Sequence, residues 1–378
     1  MQTQHAFETI RSRSAKPALQ GLILFAALGL ASNTQAAVRY SITDLGTLGG
    51  RLSEAYGINN YGQAVGTSLT ASGDFHAFIW ENGVMTDLGT LGGGYSHAYA
   101  INDTGQVVGA SQIAAAGYDW HAFVWENGVL TDLGTLGGRD SVAYGINNAG
   151  QVAGWSETAN GGIHAFVTAN GAMNDLGGSY SEAYGINDAG QVVGGAVLAG
   201  GDFRAFLWEN GEVTDLGTLG GAYSYANGIN NAGQVVGGAS IASGDFHAFL
   251  WENGEMTDLG TLGGSFSEAY GVNDTAQVVG WSDTASGELR AFLWENGVIA
   301  DLNSLLDPAD AAVWTLTIAY AINDAGQIVG TGLFGDQDRA FLLTPVVVPL
   351  PAAFWLMGSA LLGLLGLSRG KDAALACG

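Results

Sequence analysis

The chain has very little of the residues on which several common kinds of site depend. It contains one cysteine, Cys377, in 378 residues. A single cysteine excludes an intrachain disulfide and a zinc site built from cysteines. The two lysines, Lys16 and Lys371, lie near the ends, so the body from 37 to 368 has none. That body offers neither the lysine of a phosphate-binding loop nor a lysine that could form a Schiff base.

Positive charge is scarce, whereas acidic residues are common. The whole chain has 11 Lys and Arg against 35 Asp and Glu. Between residues 37 and 368 there are six Arg against 33 acids, a net charge of −27. Binding to nucleic acid depends on clustered Lys and Arg that neutralise phosphates. The charge therefore predicts that nucleic acid is not a partner.

The first 36 residues have the layout of a secretory signal peptide. Three basic residues between positions 11 and 16 precede an apolar stretch over 18–31, and small Ala36 follows a short polar segment. This order of basic region, apolar core and small residue is typical of a cleaved export signal. The apolar core is too short for a membrane anchor. We predict a signal peptide over 1–36 with cleavage after Ala36.

Residues 345–378 form a distinct tail. An apolar run from Val346 to Leu367 supplies 22 residues, and about 20 are enough to cross a bilayer. We predict a transmembrane helix over 352–367, with the basic residues that follow it retained in the cytoplasm. The tail combines, in order, a short Pro-containing motif, the apolar run and the basic residues: Pro349, Leu350, Pro351, Ala352, Arg369 and Lys371.

This three-part tail resembles the PEP-CTERM family of bacterial sorting signals, in its Val-Pro-Leu-Pro-Ala variant. The resemblance implies a Gram-negative bacterium in which an exosortase-type enzyme processes the tail near Pro349–Pro351. It also implies transient association with the inner membrane and a final location outside the cell or at its surface. An ordinary C-terminal membrane anchor is the alternative.

Between the two ends the sequence repeats one unit seven times. An Asp-Leu pair recurs at intervals of 43, 45, 43, 40, 43 and 43 residues, from Asp44 to Asp301. Within a unit, aromatic and β-branched residues flank an Asn-Gly pair such as Asn82-Gly83, which predicts a tight β-hairpin. A second hairpin precedes it, around the Asn59–Gly62 turn. Four short strands in about 43 residues are typical of a β-propeller blade.

The order of the strands predicts how the array ends. Residues 40–344 begin with one lone strand, Tyr40 to Leu45, and finish with three strands of a last unit. The lone N-terminal strand can complete that last unit and leave no free edge. We therefore predict an all-β, seven-bladed β-propeller closed by its N-terminal strand.

A His or Arg precedes each recurring Ala-Phe pair, and these residues resemble a metal site only superficially. Arginine is always charged and only donates hydrogen bonds, so it cannot replace a histidine ligand. The hairpin register places each His or Arg diagonally opposite the Asp of the next strand. We predict structural pairs His76–Asp87, His121–Asp132, His164–Asp175, Arg204–Asp215, His247–Asp258, Arg290–Asp301 and Arg339–Asp44.

The sequence predicts no catalytic, cofactor-binding or metal-ligating residue. The Asn/Asp-rich turns lack the distal Glu of an EF-hand loop, and tight-turn chemistry explains their composition. Weak calcium binding to the acidic surface is the one cofactor expectation. Asp307 and Asp310, in an insertion before the last unit, could form a carboxylate pair, although a short helical cap explains them better.

The recurring His-Ala-Phe, Ile-Asn-x-x-Gly-Gln and Asp-Leu-Gly phrases of residues 40–344 resemble the HAF-repeat family of bacterial extracellular proteins. The resemblance implies a secreted repeat protein and brings no established activity. We expect a non-enzymatic protein that binds or scaffolds polysaccharide or surface proteins in the extracellular matrix. A carbohydrate-active hydrolase or lyase and a purely structural acidic coat protein are the alternatives. Candidate sugar-stacking aromatics are Tyr95, Tyr118, Trp120 and Tyr223.

Overall fold

The computed structural model describes residues 38–114, 118–169 and 171–347. The signal peptide with Ala36, the sorting residues from Pro349 to Lys371 and the predicted helix over 352–367 lie outside these ranges. Residues 39–346 form one compact unit, built almost entirely of β-strands. The predicted all-β class is confirmed. Within the described ranges, no helix has the length and apolar character needed to span a bilayer.

The strands follow one another in groups of four antiparallel neighbours, which we call repeats 1 to 7. The first strand of the chain, β1 (Val38–Asp44), belongs to repeat 7. Repeats 1 to 3 consist of β2 (Gly49–Ile58), β3 (Ala64–Thr70), β4 (Phe75–Glu81), β5 (Val84–Gly89), β6 (Gly92–Ile101), β7 (Val107–Ile113), β8 (Trp120–Glu126), β9 (Val129–Asp132), β10 (Gly137–Ile146), β11 (Val152–Thr158), β12 (Ile163–Ala169) and β13 (Ala172–Asp175).

Repeats 4 to 6 have the same four-strand layout. They consist of β14 (Ser181–Ile186), β15 (Val192–Val197), β16 (Phe203–Glu209), β17 (Glu212–Asp215), β18 (Gly220–Ile229), β19 (Val235–Ile241), β20 (Phe246–Glu252), β21 (Glu255–Asp258), β22 (Gly263–Val272), β23 (Val278–Thr284), β24 (Leu289–Glu295) and β25 (Val298–Asp301).

Repeat 7 draws its strands from both ends of the body. It contains β26 (Trp314–Ile322), β27 (Ile328–Phe334) and β28 (Gln337–Val347), and β1 pairs with β28 as the fourth strand. Repeats 5 and 6 are also joined by one parallel contact between β20 and β22.

The Asn-Gly pairs form the hairpins that the sequence predicts. Asn82 and Gly83 have φ of 52° and 85°, the positive values that a two-residue hairpin turn requires. The turn sets the register, in which Glu81 faces Val84 and Phe78 faces Asp87. The register expected from the sequence is thus confirmed for this hairpin.

The core lies between neighbouring repeats. Side chains alternate across a strand, and both faces of the third strands are buried. In one such interface, Val65 and Ala77 of repeat 1 pack with Ala98, Val107 and Phe123 of repeat 2. Each Ala-Phe pair contributes a small residue to one face and a Phe that is at most 2% exposed to the other.

A glycine in the second strand of every repeat permits a close backbone approach. The first strand β10 has a register shift between Ala143 and Gly145, and its Val142 carbonyl oxygen lies directly against Gly154. A Cβ at Gly154 would overlap that oxygen. The same approach to a carbonyl occurs at Gly66, Gly109, Gly154, Gly194, Gly237, Gly280 and Gly330.

The insertion before repeat 7 forms two short helices. A 3-10 helix spans Leu302–Leu305, and the Asp301 side chain accepts a hydrogen bond from Asn303 N at its start. Helix α1 spans Pro308–Ala311, with Asp307 at its N-cap. The structure therefore has the helical cap that the sequence favours over a carboxylate pair.

Candidate functional site

The first strands of all seven repeats line one channel. Each contributes an aromatic or amide residue, an aliphatic residue and an Asn at corresponding positions, as in Tyr56, Ile58 and Asn59. The channel therefore has successive layers of like residues. At the Asn end it opens into a polar cavity of about 180 Å³.

The buried Asn layer links the repeats through side-chain amides. Asn187, 4% exposed, donates from Nδ2 to Gln191 Oε1 at 2.7 Å and to Asn230 O at 3.1 Å. Its Oδ1 accepts from the backbone N of Ala189 and of Gln191. The amide thus uses both donors and both lone pairs. The bond to the next repeat recurs in the order Asn59, Asn102, Asn147, Asn187, Asn230, Asn273, Asn323 and back to Asn59.

The next residue of each turn forms a second, exposed layer at the mouth. The backbone N of Asn60 donates to Asp103 Oδ1 at 2.9 Å, and the N of Asp103 donates to Asn148 Oδ1 at 2.9 Å. Four Asp and three Asn occupy this layer: Asn60, Asp103, Asn148, Asp188, Asn231, Asp274 and Asp324. In the described part of the chain, no group of three or more His, Cys, Asp or Glu is arranged to hold a metal ion.

A belt of tyrosines lies deeper in the channel. The rings of Tyr99 and Tyr144 are 4.8 Å apart, and those of Tyr56 and Tyr320 are 5.0 Å apart. Burial raises the pKa of all the belt tyrosines, and nearby Glu54 raises that of Tyr56 further. These hydroxyls therefore remain protonated at neutral pH and serve as hydrogen-bond donors. The belt consists of Tyr56, Tyr99, Tyr144, Tyr184, Tyr270 and Tyr320.

Repeat 5 interrupts the belt. Asn227 stands where the other repeats have Tyr, and its Nδ2 donates to Glu268 Oε1 and to Ala269 O, each at 2.9 Å. Glu268, 9% exposed, also accepts from Trp281 Nε1 at 3.3 Å. Two further carboxylates of the channel, Glu54 and Glu182, accept from tyrosine hydroxyls. All three carboxylates are thus held by donors of the protein itself.

The half-buried histidine His97 makes stability depend on pH. The His97 ring stacks on Trp120, with 5.3 Å between centroids, and burial lowers its pKa below the ordinary 6.5. The unfolded chain therefore binds this proton at a higher pH than the folded protein. The free energy of unfolding should fall as pH drops below 6.5, by up to about 1.4 kcal/mol per pH unit.

Replacing His97 by the residue of repeat 5 tests this expectation. Tyr225 occupies the equivalent position there, so the His97→Tyr variant should lose less of its thermal midpoint between pH 7.5 and 5 than the parent. The measurement is thermal unfolding followed by circular dichroism at each pH. Equal losses in the two proteins would show that His97 is not the group that titrates.

The structure brings together the His members of the predicted structural pairs and their partners. His76 Nδ1 lies 2.8 Å from Asp87 Oδ2. The other three His pairs have the same Nδ1 contact at 2.9 Å: His121–Asp132, His164–Asp175 and His247–Asp258. These Asp side chains are about two-fifths exposed, so each pair contributes little to stability.

The Arg members behave differently. Arg204 contacts Asp202 at 3.0 Å instead of Asp215, and Arg339 donates to Gln337 at 2.6 Å instead of reaching Asp44. The expectation is wrong for these two pairs.

Arg290 divides its contacts. It lies 2.8 Å from Glu288 and 4.0 Å from Asp301. The physical reason is reach, because the long arginine side chain extends back to an acceptor two residues earlier in the sequence.

The Asp of every Asp-Leu pair also accepts a hydrogen bond from the backbone close by. Asp44 and Asp215, which lack their predicted arginines, each accept a hydrogen bond from the backbone N two residues later. Asp301 does the same with Asn303 N at the start of the 3-10 helix. The same bond forms at Asp87, Asp132, Asp175 and Asp258. The turn that follows each fourth strand therefore explains this Asp in all seven repeats.

The sequence reasoning missed the bonds between repeats. The Asn of each Ile-Asn phrase was assigned only to a turn, although a Gln follows it four residues later in every repeat. A serine of the first strand bridges repeats as well. Ser141 Oγ donates to Gly134 O at 2.6 Å and accepts from Ala122 N at 2.8 Å. The serine recurs at the same position of a buried strand, and this recurrence could have indicated the bond between repeats.

The candidate stacking aromatics lie at the end of the body opposite the Asn turns. Tyr95, Tyr118 and Tyr223 are 36%, 79% and 44% exposed, whereas Trp120 is half-buried against His97. The end is defined by topology, because the first and third strands of each repeat start there. This end therefore presents aromatic surface to the solvent.

Comparisons with known proteins give similarity of low degree. No protein-family model matches the chain, and no curated protein matches it. Among solved structures, TolB from Acinetobacter baumannii has 10% identity and a TM-score of 0.38, covering 90% of this chain and 72% of its own. A puromycin-hydrolyzing peptidase of Mycobacterium tuberculosis has 13% identity and a TM-score of 0.47, covering 79% of this chain.

A fungal lectin from Aleuria aurantia, described as a six-bladed β-propeller with a fucose recognition mode, is also similar. It has 11% identity and a TM-score of 0.33, and the match covers 83% of this chain and 98% of the lectin. The chain spans about half the length of the peptidase (49%). Likeness of this degree supports no inference about activity or ligand.

Proposed function

We propose that the seven repeats form the blades of a closed β-propeller. The contacts between repeats 7 and 1 support this, because they match those between other neighbours. Asn323 Nδ2 donates to Asn59 O at 2.9 Å, and Ala340 N donates to Ser53 Oγ at 3.0 Å. The pairing of β1 with β28 supplies the fourth strand of the last blade.

The proposed propeller is exported and acts outside the cell or at its surface. The signal peptide over 1–36 would direct export, and the tail over 345–378 would hold the protein in the inner membrane until an exosortase-type enzyme processes it. These proposals rest on the sequence of the two ends. Under these proposals, the protein binds its partners at the envelope of a Gram-negative cell.

The function that the geometry supports best is non-enzymatic binding or scaffolding in the exopolysaccharide matrix. The observation that carries this proposal is the set of exposed aromatic rings at one end of an acidic body. Exposed aromatic surface of this kind marks an interaction site.

Co-sedimentation with extracellular polysaccharide from the producing organism tests the proposal. We expect saturable binding of the full chain, measured with and without calcium, while an unrelated acidic protein of similar charge stays in the supernatant. Absence of binding with release of reducing ends would identify a carbohydrate-active enzyme instead. Absence of both would leave a structural coat protein. A requirement for calcium would reveal the weak surface site that the acidic composition suggests.

A further inference from the structure

Repeats 4 to 6 carry a continuous aromatic surface that the channel does not use. We call it the aromatic shelf, and it consists of Tyr180, Phe203, Tyr223, Phe246 and Phe266. Each residue lies just before or within the first four residues of a first or third strand, toward the end opposite the Asn turns. Tyr223 and Phe266 are 44% and 46% exposed. The shelf therefore offers ring surface to a ligand across three neighbouring repeats.

Four of the five rings of the shelf, those of Tyr180, Phe203, Tyr223 and Phe246, contact one another in sequence. Phe203 and Tyr223 stack with 5.0 Å between centroids and 15° between planes. Tyr180 lies 6.0 Å from Phe203, and Phe246 lies 6.5 Å from Tyr223. Phe246 in turn pairs with Phe266 along the backbone. Mutual packing holds the first four rings in place before any ligand arrives, and backbone pairing fixes the position of Phe266 in its strand. Order of this kind lowers the entropic cost of binding.

Two glycines make room for the rings of Phe203 and Phe246. A Cβ at Gly195 would overlap the Phe203 ring, and one at Gly238 would overlap the Phe246 ring. Both glycines face the Ala of the Ala-Phe pair on the third strand. The other five repeats have a side chain at this position: Thr67, Ala110, Trp155, Trp281 and Thr331.

The charged groups beside the shelf are already paired. Asp202 contacts Arg204 at 3.0 Å, and Asp283 accepts from the backbone N of Phe266 at 2.8 Å. Glu182 accepts from the Tyr180 hydroxyl at 2.7 Å. A cationic ligand would have to compete with these donors, and the charge of −27 repels an anionic one. An uncharged ligand avoids both costs.

We propose that the aromatic shelf binds an uncharged polysaccharide, with sugar rings stacked on Tyr223 and Phe266. The aliphatic C–H face of a pyranose carries partial positive charge and fits the negative face of an aromatic ring. This inference rests on the proposed role in the matrix and assigns the residues and the ligand class.

Native affinity electrophoresis of the full chain tests the proposal. The acidic protein migrates readily, and we expect gels that contain a soluble neutral glucan, hydroxyethyl cellulose or laminarin, to retard it. Gels that contain alginate, an anionic polysaccharide, or chitosan, a cationic one, test whether charged polysaccharides bind instead. Tyr223→Ala and Phe266→Ala should each weaken retardation by about threefold to tenfold, whereas Tyr223→Phe, which keeps the ring, should retain it. Tyr61→Ala removes a tyrosine that is 77% exposed at the opposite end and should change nothing.

The outcomes separate this inference from the proposed function. Retardation by both neutral glucans that is lost in the two Ala variants, with unchanged circular dichroism, supports the shelf. Retardation that persists in both variants overturns it, as does retardation by alginate or chitosan alone. Binding to the native matrix without binding to either neutral glucan overturns the shelf and leaves the proposed function intact. Failure to bind the native matrix as well removes both.

Discussion

Replacing Gly154 by alanine is expected to destabilise the protein by about 4 kcal/mol or more, or to prevent folding. The new Cβ would overlap the Val142 carbonyl oxygen, which is part of a bulged backbone held between two repeats. Backbone cannot yield as a flexible side chain can. Urea unfolding followed by circular dichroism gives the free energy, and the yield of soluble protein reports failure to fold.

Gly94→Ala is the matched control. A Cβ at Gly94 would meet only the Gln112 Oε1 atom at 3.9 Å, and the position has no positive φ. This variant should lie within about 0.5 kcal/mol of the parent. If Gly154→Ala were as stable as Gly94→Ala, the close approach of the bulged strand would not exist in solution.

Asn187→Asp is the second substitution with a large expected effect, about 3 kcal/mol at pH 7. The carboxylate keeps the two accepted bonds but places an oxygen against Gln191 Oε1 and Asn230 O, which both require a donor. Burial and these acceptors would raise the pKa of the new carboxyl in the folded state. The folded variant then binds a proton at higher pH than the unfolded chain, so its stability should rise as pH falls.

Asn231→Asp provides the comparison for this prediction. Asn231 is an exposed residue of the mouth layer, where four other repeats already have Asp: Asp103, Asp188, Asp274 and Asp324. We expect a loss below about 1 kcal/mol, because the new carboxylate beside Asp188 is exposed to solvent, and a smaller gain of stability at low pH than in Asn187→Asp. The measurement is the urea midpoint of both variants at pH 7 and 5. Similar losses for both variants would contradict the role of the buried amide layer.

The sequence predicted the repeat unit well because local chemistry decides it. The Asn82-Gly83 turn sets its own register, and from that register follow the facing of Phe78 and Asp87 and the contact of His76 with Asp87. Short-range geometry of this kind depends only on residues a few positions apart. The all-β class followed from the same hairpins.

The contacts of the arginines and of the channel could not be predicted in the same way. Arg204 contacts Asp202, two residues earlier in the sequence, and not Asp215 of the next strand, so strand register alone did not identify its partner. The Asn layer depends on the angle between neighbouring repeats, since Asn187 bonds to a carbonyl 43 residues away. A period in the sequence indicates that such contacts recur without indicating which atoms meet.

Two repeats of the aromatic shelf have a glycine where the other repeats have a side chain, and the role of these glycines is visible only in three dimensions. Gly195 and Gly238 appear in the sequence as two more glycines among 61. Their role is to leave space for the rings of Phe203 and Phe246, which lie directly over them. Positions at which one repeat differs from the others are therefore the informative ones for ligand binding.

In the proposed closed propeller, the pairing of β1 with β28 also determines when folding can finish. Ser41 Oγ reaches Thr344 O at 3.4 Å, across 303 residues of chain. Strand β1 is synthesised before the other strands but can pair only after β28 has been synthesised. Closing so long a loop slows folding. A partly synthesised or partly translocated chain keeps an open strand edge, which is prone to pairing with other chains. The open sheet edge is therefore paired only after β28 has been synthesised, and until then the chain can pair with other chains.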